Sequence, residues 1–295
     1  MGYIGGDDVS DFISDIATYE FLQKALFTSV MVGIICGVIG CFIILRGMAL
    51  MGDAISHAIL PGIAVSYMMG INYFYGAVFT GLLTSVGIGF ISQNSRVKSD
   101  SSIGIVFSSF FALGIILMAK AKSSIDLTSI LFGNVLSVRS SDMWMTLTIG
   151  AIVLLIVIMF YKELLVTTFD PTLAASYGLP NRFIHYVLMI LLTLVTVASL
   201  QTVGVILVVA MLITPASTAY LLTNRLSIMI ALSAIFGAFS AVVGLYFSFA
   251  HNLSSGAVIV LVTTVLFVIA FIFSPKQGIL WRSLRVRKNK NVASL

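Results

Sequence analysis

The sequence predicts an all-α membrane protein, a polytopic transmembrane helical bundle of about eight or nine spans. Of its 295 residues, 59% are hydrophobic and only 9% are charged, and the apolar residues form long continuous runs. A soluble domain carries about 25% charged residues and could not hide this much apolar surface, because only its interior is dry. A porin-type barrel would show short alternating strands, and the sequence lacks that pattern.

Nine apolar segments are candidate spans, and each approaches the roughly 20 residues that a membrane-crossing helix needs. They are residues 20–45, 49–70, 73–93, 101–120, 142–161, 182–203, 204–222, 226–250 and 254–274. The seventh is the weakest, because only a short break at Gly204 separates it from the sixth and Pro215 interrupts it. If that segment were re-entrant or broken, the count would fall to eight and the amino terminus would change side.

The basic residues predict the orientation, since cytoplasmic loops are enriched in Lys and Arg. With the carboxyl terminus inside, a nine-span chain places 12 of its 16 basic residues in the cytoplasm. These are Arg46, Arg96, Lys98, Lys162, Arg182, Arg225, Lys276, Arg282, Arg285, Arg287, Lys288 and Lys290. Lys24, Lys120, Lys122 and Arg139 remain outside.

Three regions follow from this arrangement. An acidic amino-terminal arm (1–19) precedes the transmembrane domain (20–275), and a basic cytoplasmic tail (276–295) ends the chain. The net charge is +5, and many of the basic residues lie in the tail, which would face anionic lipid. We therefore expect the partner of the basic residues to be the lipid bilayer and not nucleic acid.

Asp53 is the only acidic residue in the interior of a predicted span, and His57 follows four residues later. Residues four apart share a helix face, and a carboxylate within the membrane should face protein or water. An oxygen and a nitrogen ligand on one face can hold a first-row divalent cation, completed by backbone carbonyls, water or another helix. The structural alternative is that Asp53 caps the second span and His57 bonds to a neighbour.

Two other residues are weaker candidates on the external side. Asp126 begins an amphipathic stretch (126–134) that reads as a short external helix with Asp126 as its cap, or as an element of gating or metal capture. His251 lies in a short external loop, where it could assist metal entry or could be solvated without a role.

The segment between Lys162 and Arg182 is the longest polar interruption on the cytoplasmic side. Within it, Asp170 can act as a helix N-cap with Pro171 as the first helical residue, and Gly178 fits the position that ends a helix. The result is a compact helix outside the membrane. Its small residues, including Ala174, would give it a smooth face for docking, although a capped connector is the simpler alternative.

The motifs that the sequence lacks limit its chemistry. No Lys follows a Gly, so there is no phosphate-binding GxxxxGK[ST] loop, and there is no HExxH motif. An aspartyl intramembrane protease would need a second membrane carboxylate. We therefore expect the chain not to be an enzyme and not to hydrolyse ATP itself.

Five stretches resemble the zinc/manganese/iron family of ABC-transporter permeases. They are residues 52–62, 126–133, 170–178, 202–216 and Ser255-Gly256. The first, Gly52-Asp53-Ala54-Ile55-Ser56-His57 and its continuation, is the most specific, and together the stretches cover residues 20 to 275. The acidic arm matches no part of the family pattern.

The resemblance implies a permease of the type II ABC-importer kind in the bacterial plasma membrane. It implies a permease homodimer around a central path, a separate cytoplasmic ATP-binding subunit, and an extracellular metal-binding lipoprotein or periplasmic protein. The family's metal site corresponds to Asp53 and His57. Its ATPase-coupling helix corresponds to the segment with Asp170, Pro171, Ala174 and Gly178. No cofactor would be permanently bound.

The expected cargo is a divalent metal ion, Mn²⁺ or Zn²⁺, with iron also possible. A carboxylate suits manganese, whereas histidine suits zinc and iron as well; the absence of a thiolate near the pair favours manganese. The main alternative is a secondary, ion-coupled metal transporter, although such proteins usually carry several intramembrane ionisable groups. An intramembrane enzyme is a further alternative.

Overall fold

The computed structural model describes residues 9–121 and 135–274, with side chains from residue 14 onward. In this part of the chain all the regular secondary structure is helical. The first six helices are α1 (Val9–Thr18), α2 (Glu20–Leu45), α3 (Met51–Ala58), α4 (Leu60–Met69), α5 (Tyr73–Asn94) and α6 (Ser99–Ala121). A 3₁₀ turn (Val135–Ser137) leads to α7 (Ser140–Met159), α8 (Tyr161–Phe169), α9 (Pro171–Ser176), α10 (Asn181–Val203), α11 (Val205–Leu222), α12 (Leu226–His251) and α13 (Ser255–Phe273).

The break in the bundle falls in the second predicted span, not in the seventh. Residues 51–69 form two short helices that meet at Ile59, and Pro61 lies at the start of the second one. Proline has no N–H to donate to the carbonyl of His57, four residues earlier. The seventh span is the continuous helix α11, which includes Pro215. Membrane helices tolerate proline where neighbouring helices cover the backbone, and Pro215 is buried between buried neighbours.

The broken pair crosses the bundle from end to end. At its beginning, Arg46 lines a cavity together with Thr168 and Arg182. At its end, Gly70 lines a different cavity together with Arg139 and Gln201. Eight continuous helices in the described part of the chain are long and apolar enough to cross a membrane, and the pair adds a ninth crossing. This count lies within the eight or nine spans that the sequence predicts.

Close helix contacts at glycine hold the centre of the bundle. A Cβ on Gly33 of α2 would lie 2.7 Å from the backbone of Gly237 in α12, and one on Gly40 would meet the carbonyl oxygen of Leu212 in α11. Such small-residue contacts let membrane helices approach closely. The glycines of α2 therefore pack within the chain, and α2 is the most buried of the membrane helices.

A second contact of this kind joins α4 to α5. A Cβ on Gly62 would clash with the carbonyl oxygen of Gly76, and a Cβ on Gly76 would clash with the carbonyl oxygen of Gly62. Neither helix can move away from the other without losing this backbone contact. Helices α4 and α5 therefore form a packed hairpin that begins at the Ile59 break.

Candidate metal site and cytoplasmic docking helix

Asp53 and His57 point from the same face of α3. The Nε2 atom of His57 lies 3.5 Å from the Oδ1 atom of Asp53. Two ligands that each bind one ion at about 2.1 Å, with an angle between 90° and 110°, would be about 3.0–3.4 Å apart. The observed separation is close to that range and is long for a direct hydrogen bond. The residue before Asp53, Gly52, packs against Leu212 near the middle of α11.

Asp53 does not cap its helix. It is the third residue of α3, and the N-cap residue Leu50 makes no side-chain capping bond. The alternative structural role suggested by the sequence is therefore not supported for Asp53. Because 47% of its side-chain surface is exposed, the carboxylate is open toward whatever covers this face of the chain.

Two phenylalanines of α6 hold the imidazole of His57 in place. The ring of Phe111 lies edge-on to it at 5.7 Å, and the ring of Phe107 lies at 6.0 Å. The two phenylalanine rings stack on each other at 5.6 Å. The two phenylalanine rings restrict the orientation of the imidazole, which is only 24% exposed. Its Nε2 atom faces Asp53.

The pair lines a cavity of about 350 Å³ between α3, α11 and α13. Every other lining residue is apolar except for one hydroxyl; these are Val205, Ile206, Val209, Ala210, Ile213, Thr214 and Val260. No third His, Cys, Asp or Glu of the described residues joins the pair. Within one chain, the cavity therefore offers only two suitable metal ligands, Asp53 and His57, among mostly apolar side chains.

The predicted cytoplasmic helix is present as α9. The Oδ1 atom of Asp170 accepts hydrogen bonds from the amide of Leu173 at 2.9 Å and from the hydroxyl of Thr172 at 2.7 Å. Both bonds favour the charged carboxylate and lower the pKa of Asp170. Pro171 is the first helical residue. Gly178 follows the helix with φ of 74°, the left-handed conformation that commonly ends helices.

The exposed face of α9 includes the small residues Ala175 and Ser176, but it is not the uniformly smooth surface that we predicted. Ala174 is fully buried against the bundle, so it anchors the helix and is not available to a partner. The large exposed side chains nearby are instead Phe169, Leu173 and Tyr177, the last with 73% of its surface exposed. Any protein that docks here meets apolar and aromatic groups.

The external candidates are not joined to the pair. His251 is the last residue of α12, is exposed, and stacks on Phe247 with a ring separation of 6.2 Å; it does not line the cavity of Asp53 and His57. Asp126 lies outside the described residues, as does the basic tail beyond Ser274. The roles suggested for Asp126 and His251 stay predictions.

Sequence reasoning missed three residues around these sites. Phe107 and Phe111 are four apart in an apolar helix, and nothing in their own segment indicates contact with His57. Arg46 directly precedes the turn into α3. In the sequence, its position before Gly47 was the feature that could have indicated such a turn. Its guanidinium donates hydrogen bonds to Thr167 and Thr168, just before α9.

Comparison with known proteins agrees with the helical bundle. The family model described as the ABC 3 transport family matches residues 18–274. The manganese transport system membrane protein MntC of Listeria monocytogenes is 66% identical over 93% of this chain and 98% of its own. The manganese import system permease protein ScaB of Streptococcus gordonii is 52% identical over 94% of this chain and 100% of its own.

A solved structure of a related permease has the same fold as this chain. A chain in the structure of PsaBC from Streptococcus pneumoniae in complex with Fab is 51% identical, with a TM-score of 0.83. The match covers 95% of this chain and 100% of that chain. The present chain therefore belongs to the ABC 3 transport family, as a multi-pass membrane permease subunit.

Proposed function

We propose that this chain is the membrane permease of an ATP-driven importer for divalent metal ions, with Mn²⁺ as its cargo. The observation that carries the proposal is the Asp53–His57 pair, which lines a largely apolar cavity between α3, α11 and α13 with a spacing suited to two ligands of one ion. Two relatives named for manganese transport or import, MntC and ScaB, are 66% and 52% identical to this chain. The family and these relatives favour an ATP-driven metal importer over the secondary-transporter and enzyme alternatives.

The exposure of Asp53 supports a second permease copy. A half-exposed carboxylate in a membrane-crossing segment cannot face lipid without a cost of several kcal/mol, so protein or water must cover it. A symmetric dimer that brings two α3 helices together would place two carboxylates and two imidazoles around one path. Such an isologous contact turns two half-sites into one site with four protein ligands.

The energy source would be a separate subunit. This chain has no phosphate-binding loop, whereas α9 presents exposed Leu173 and Tyr177 at the cytoplasmic end. We propose that a cytoplasmic ATP-binding subunit docks on α9 and that an extracellular metal-binding protein delivers the ion. Nucleotide binding would then change the access of the path, and the affinity for the ion must differ between the two states for transport to occur.

The donor set accommodates both manganese and zinc, so the choice of manganese rests on the relatives named for manganese. Carboxylates suit Mn²⁺, while imidazole binds both metals, and affinities generally rise from Mn²⁺ to Zn²⁺ for one donor set. Discrimination at this site would therefore depend on geometry and on the metal supplied by the binding protein. We expect Zn²⁺ to bind the pair and to be transported poorly.

Uptake by the reconstituted three-component complex tests the proposal. We expect Mn²⁺ to accumulate in proteoliposomes only with ATP, and to accumulate unchanged when a proton gradient is collapsed. Equilibrium binding should give one Mn²⁺ for two permease chains. Uptake that follows the proton gradient without ATP would instead support a secondary transporter, and one ion per chain would contradict the shared site.

A further inference from the structure

Arg46 connects two parts of the chain that are far apart in the sequence. It follows α2 directly, and the turn 46–50 leads into α3 with Asp53 and His57. Its Nη2 atom donates a hydrogen bond to the hydroxyl of Thr167 at 2.8 Å, and its Nε atom donates one to Thr168 at 3.1 Å. Both threonines lie at the end of α8, immediately before the docking helix α9.

The same guanidinium reaches the helix on the other side of α9. Its Nη1 atom lies 3.4 Å from the Nδ1 atom of His185, in the first turns of α10. A guanidinium can only donate, so Nδ1 of His185 accepts. Arg46 therefore contacts both helices that flank the docking helix, using three nitrogens of one rigid fork.

The turn that follows Arg46 is well fixed. The amide of Met48 donates to the carbonyl of Ile43 at 3.0 Å, and the amide of Met51 donates to the carbonyl of Met48 at 3.0 Å. Met48 is buried. A displacement of Arg46 would therefore move the beginning of α3 and would not be absorbed by a loose loop.

The docking side is fixed as well. The side-chain amide of Asn181 donates to the carbonyl of Pro171 at 2.6 Å, which ties the beginning of α9 to the beginning of α10. The hydroxyl of Thr167 donates to the carbonyl of Glu163 at 2.8 Å, so its lone pairs are directed to other donors. Arg46 supplies such a donor.

Because Arg46 is charged, losing these hydrogen bonds would be energetically costly. No carboxylate of the described residues forms an ion pair with it, and its acceptors are all neutral. Burial lowers the pKa of Arg46 to about 10, so it still carries its charge at neutral pH. A partly buried cation that loses its hydrogen bonds is strongly unfavourable, so this fork should keep its partners as they move.

We propose that Arg46 is a positioning residue that transmits movement of the docking helix α9 to the metal-bearing helix α3. The inference rests on the proposed function, because it assumes that an ATP-binding subunit moves α9 and that α3 binds the ion. Packing between α3 and α10 offers a parallel route, but the arginine is the connection with defined direction and chemistry.

The test measures Mn²⁺ uptake and ATP hydrolysis in the same proteoliposomes, containing the full complex with its binding protein. For Arg46→Ala we expect the complex to assemble and hydrolyse ATP, with the number of ions transported per ATP reduced at least about fivefold, the lower end of usual coupling between sites. Arg46→Lys keeps the charge but not the fork, so it should restore the ratio in part.

Arg225→Ala is the matched control, since Arg225 is an exposed arginine at the cytoplasmic end, at the beginning of α12. It should leave the ratio unchanged. The combined Thr167→Val and Thr168→Val variant removes two acceptors while it leaves Arg46 in place, and it should also lower the ratio. If Arg46→Ala does not assemble, the threonine variant decides the question.

The outcomes separate this inference from the proposed function. A wild-type complex without ATP-driven Mn²⁺ uptake would overturn the proposed function and this inference with it. Uptake by the wild type, with an unchanged ratio in the arginine or threonine variants, would overturn only the role of Arg46. An equal loss in Arg225→Ala would also count against it, because a general effect of cytoplasmic charge would then explain the result.

Discussion

The hydroxyl of Thr80 in α5 lies 3.3 Å from the carbonyl oxygen of Ile59, the residue at which the second crossing breaks, and donates a hydrogen bond to it. The single O–H of this threonine is shared with the carbonyl of Gly76 in its own helix, at 2.9 Å. The break therefore has a polar partner from the neighbouring helix. The direction of α4 relative to α3, which carries Asp53 and His57, is set at this position.

Replacing the proline at the break should change transport more than stability. Pro61→Ala supplies the N–H that can bond to the carbonyl of His57, so α3 and α4 can merge into one straighter helix. We expect the melting temperature of the purified complex to stay level or rise, while Mn²⁺ uptake falls severalfold. Pro215→Ala in the continuous helix α11 is the control and should not lower uptake. Full uptake by Pro61→Ala would show that the break has no role in transport.

A methyl group at Gly62 should be poorly tolerated. Its Cβ would clash with the backbone oxygen of Gly76, so α4 and α5 would have to separate. Overpacking of this kind costs about 1–3 kcal/mol, and we expect a lower melting temperature and less folded protein after detergent extraction. Gly87→Ala is the control in α5, where the nearest atom to the new Cβ would be 3.8 Å away. Equal stability of the two variants would contradict the close packing.

Removing either member of the Asp53–His57 pair should weaken metal binding. Asp53→Asn removes the charge at constant shape, and His57→Gln removes the imidazole. Loss of a group that only supports a metal ligand already costs 10–100-fold in affinity, so we expect each variant to bind Mn²⁺ at least about tenfold more weakly. Titration of free Mn²⁺ by electron paramagnetic resonance measures this in the assembled complex.

Asp100→Asn is the matched control for the metal pair. Asp100 is an exposed acidic residue at the cytoplasmic beginning of α6, far along the chain from the cavity residues. It should bind Mn²⁺ like the wild type. Normal Mn²⁺ affinity in both Asp53→Asn and His57→Gln would exclude the pair as the site.

The capping carboxylate of Asp170 should make the docking helix sensitive to acid. Because its pKa is lowered in the folded protein by the Thr172 hydroxyl and the Leu173 amide, its stabilisation is complete above the unfolded pKa. It is lost as the pH falls through the folded pKa. Asp170→Ala should expose the amides of 172–176 to faster hydrogen exchange at neutral pH. Asp170→Asn, which keeps an acceptor oxygen, should resemble the wild type and lose the pH response.

Hydrogen exchange of the same peptide between pH 3 and pH 7, corrected for the intrinsic rate, provides the measurement. The wild type should lose protection toward the acidic end. If Asp170→Ala kept the protection of the wild type at pH 7, the cap would not stabilise α9, and the docking helix would depend on the buried Ala174 alone.

The sequence could predict nine crossings because hydrocarbon requires long apolar segments, and their lengths are read directly. It could also predict the pairing of Asp53 with His57, because a spacing of four residues places two side chains on one helix face whatever surrounds them. The same local logic gave the capped helix at Asp170 and Pro171. Each of these features depends on the order of nearby residues.

The position of the break was decided by tertiary contacts, and the sequence favoured the wrong proline. Pro61 and Pro215 both remove one backbone hydrogen bond. The first lies two residues after Ile59, whose carbonyl accepts from Thr80, and next to Gly62, where Gly76 allows close approach between α4 and α5. The second is enclosed by buried neighbours that keep α11 continuous. A linear sequence does not show which proline will find such partners.

Local sequence thus determined the membrane environment, the number of crossings and which two side chains point together, since hydrophobic length and helical periodicity act over a few residues. Only the tertiary structure decided what those side chains meet. The rings of Phe107 and Phe111 hold His57, and Arg46 bonds to Thr168, 122 positions away in the chain. Such contacts depend on how whole helices pack, because shape and hydrogen bonding between distant segments select one arrangement among many that the same apolar pattern allows.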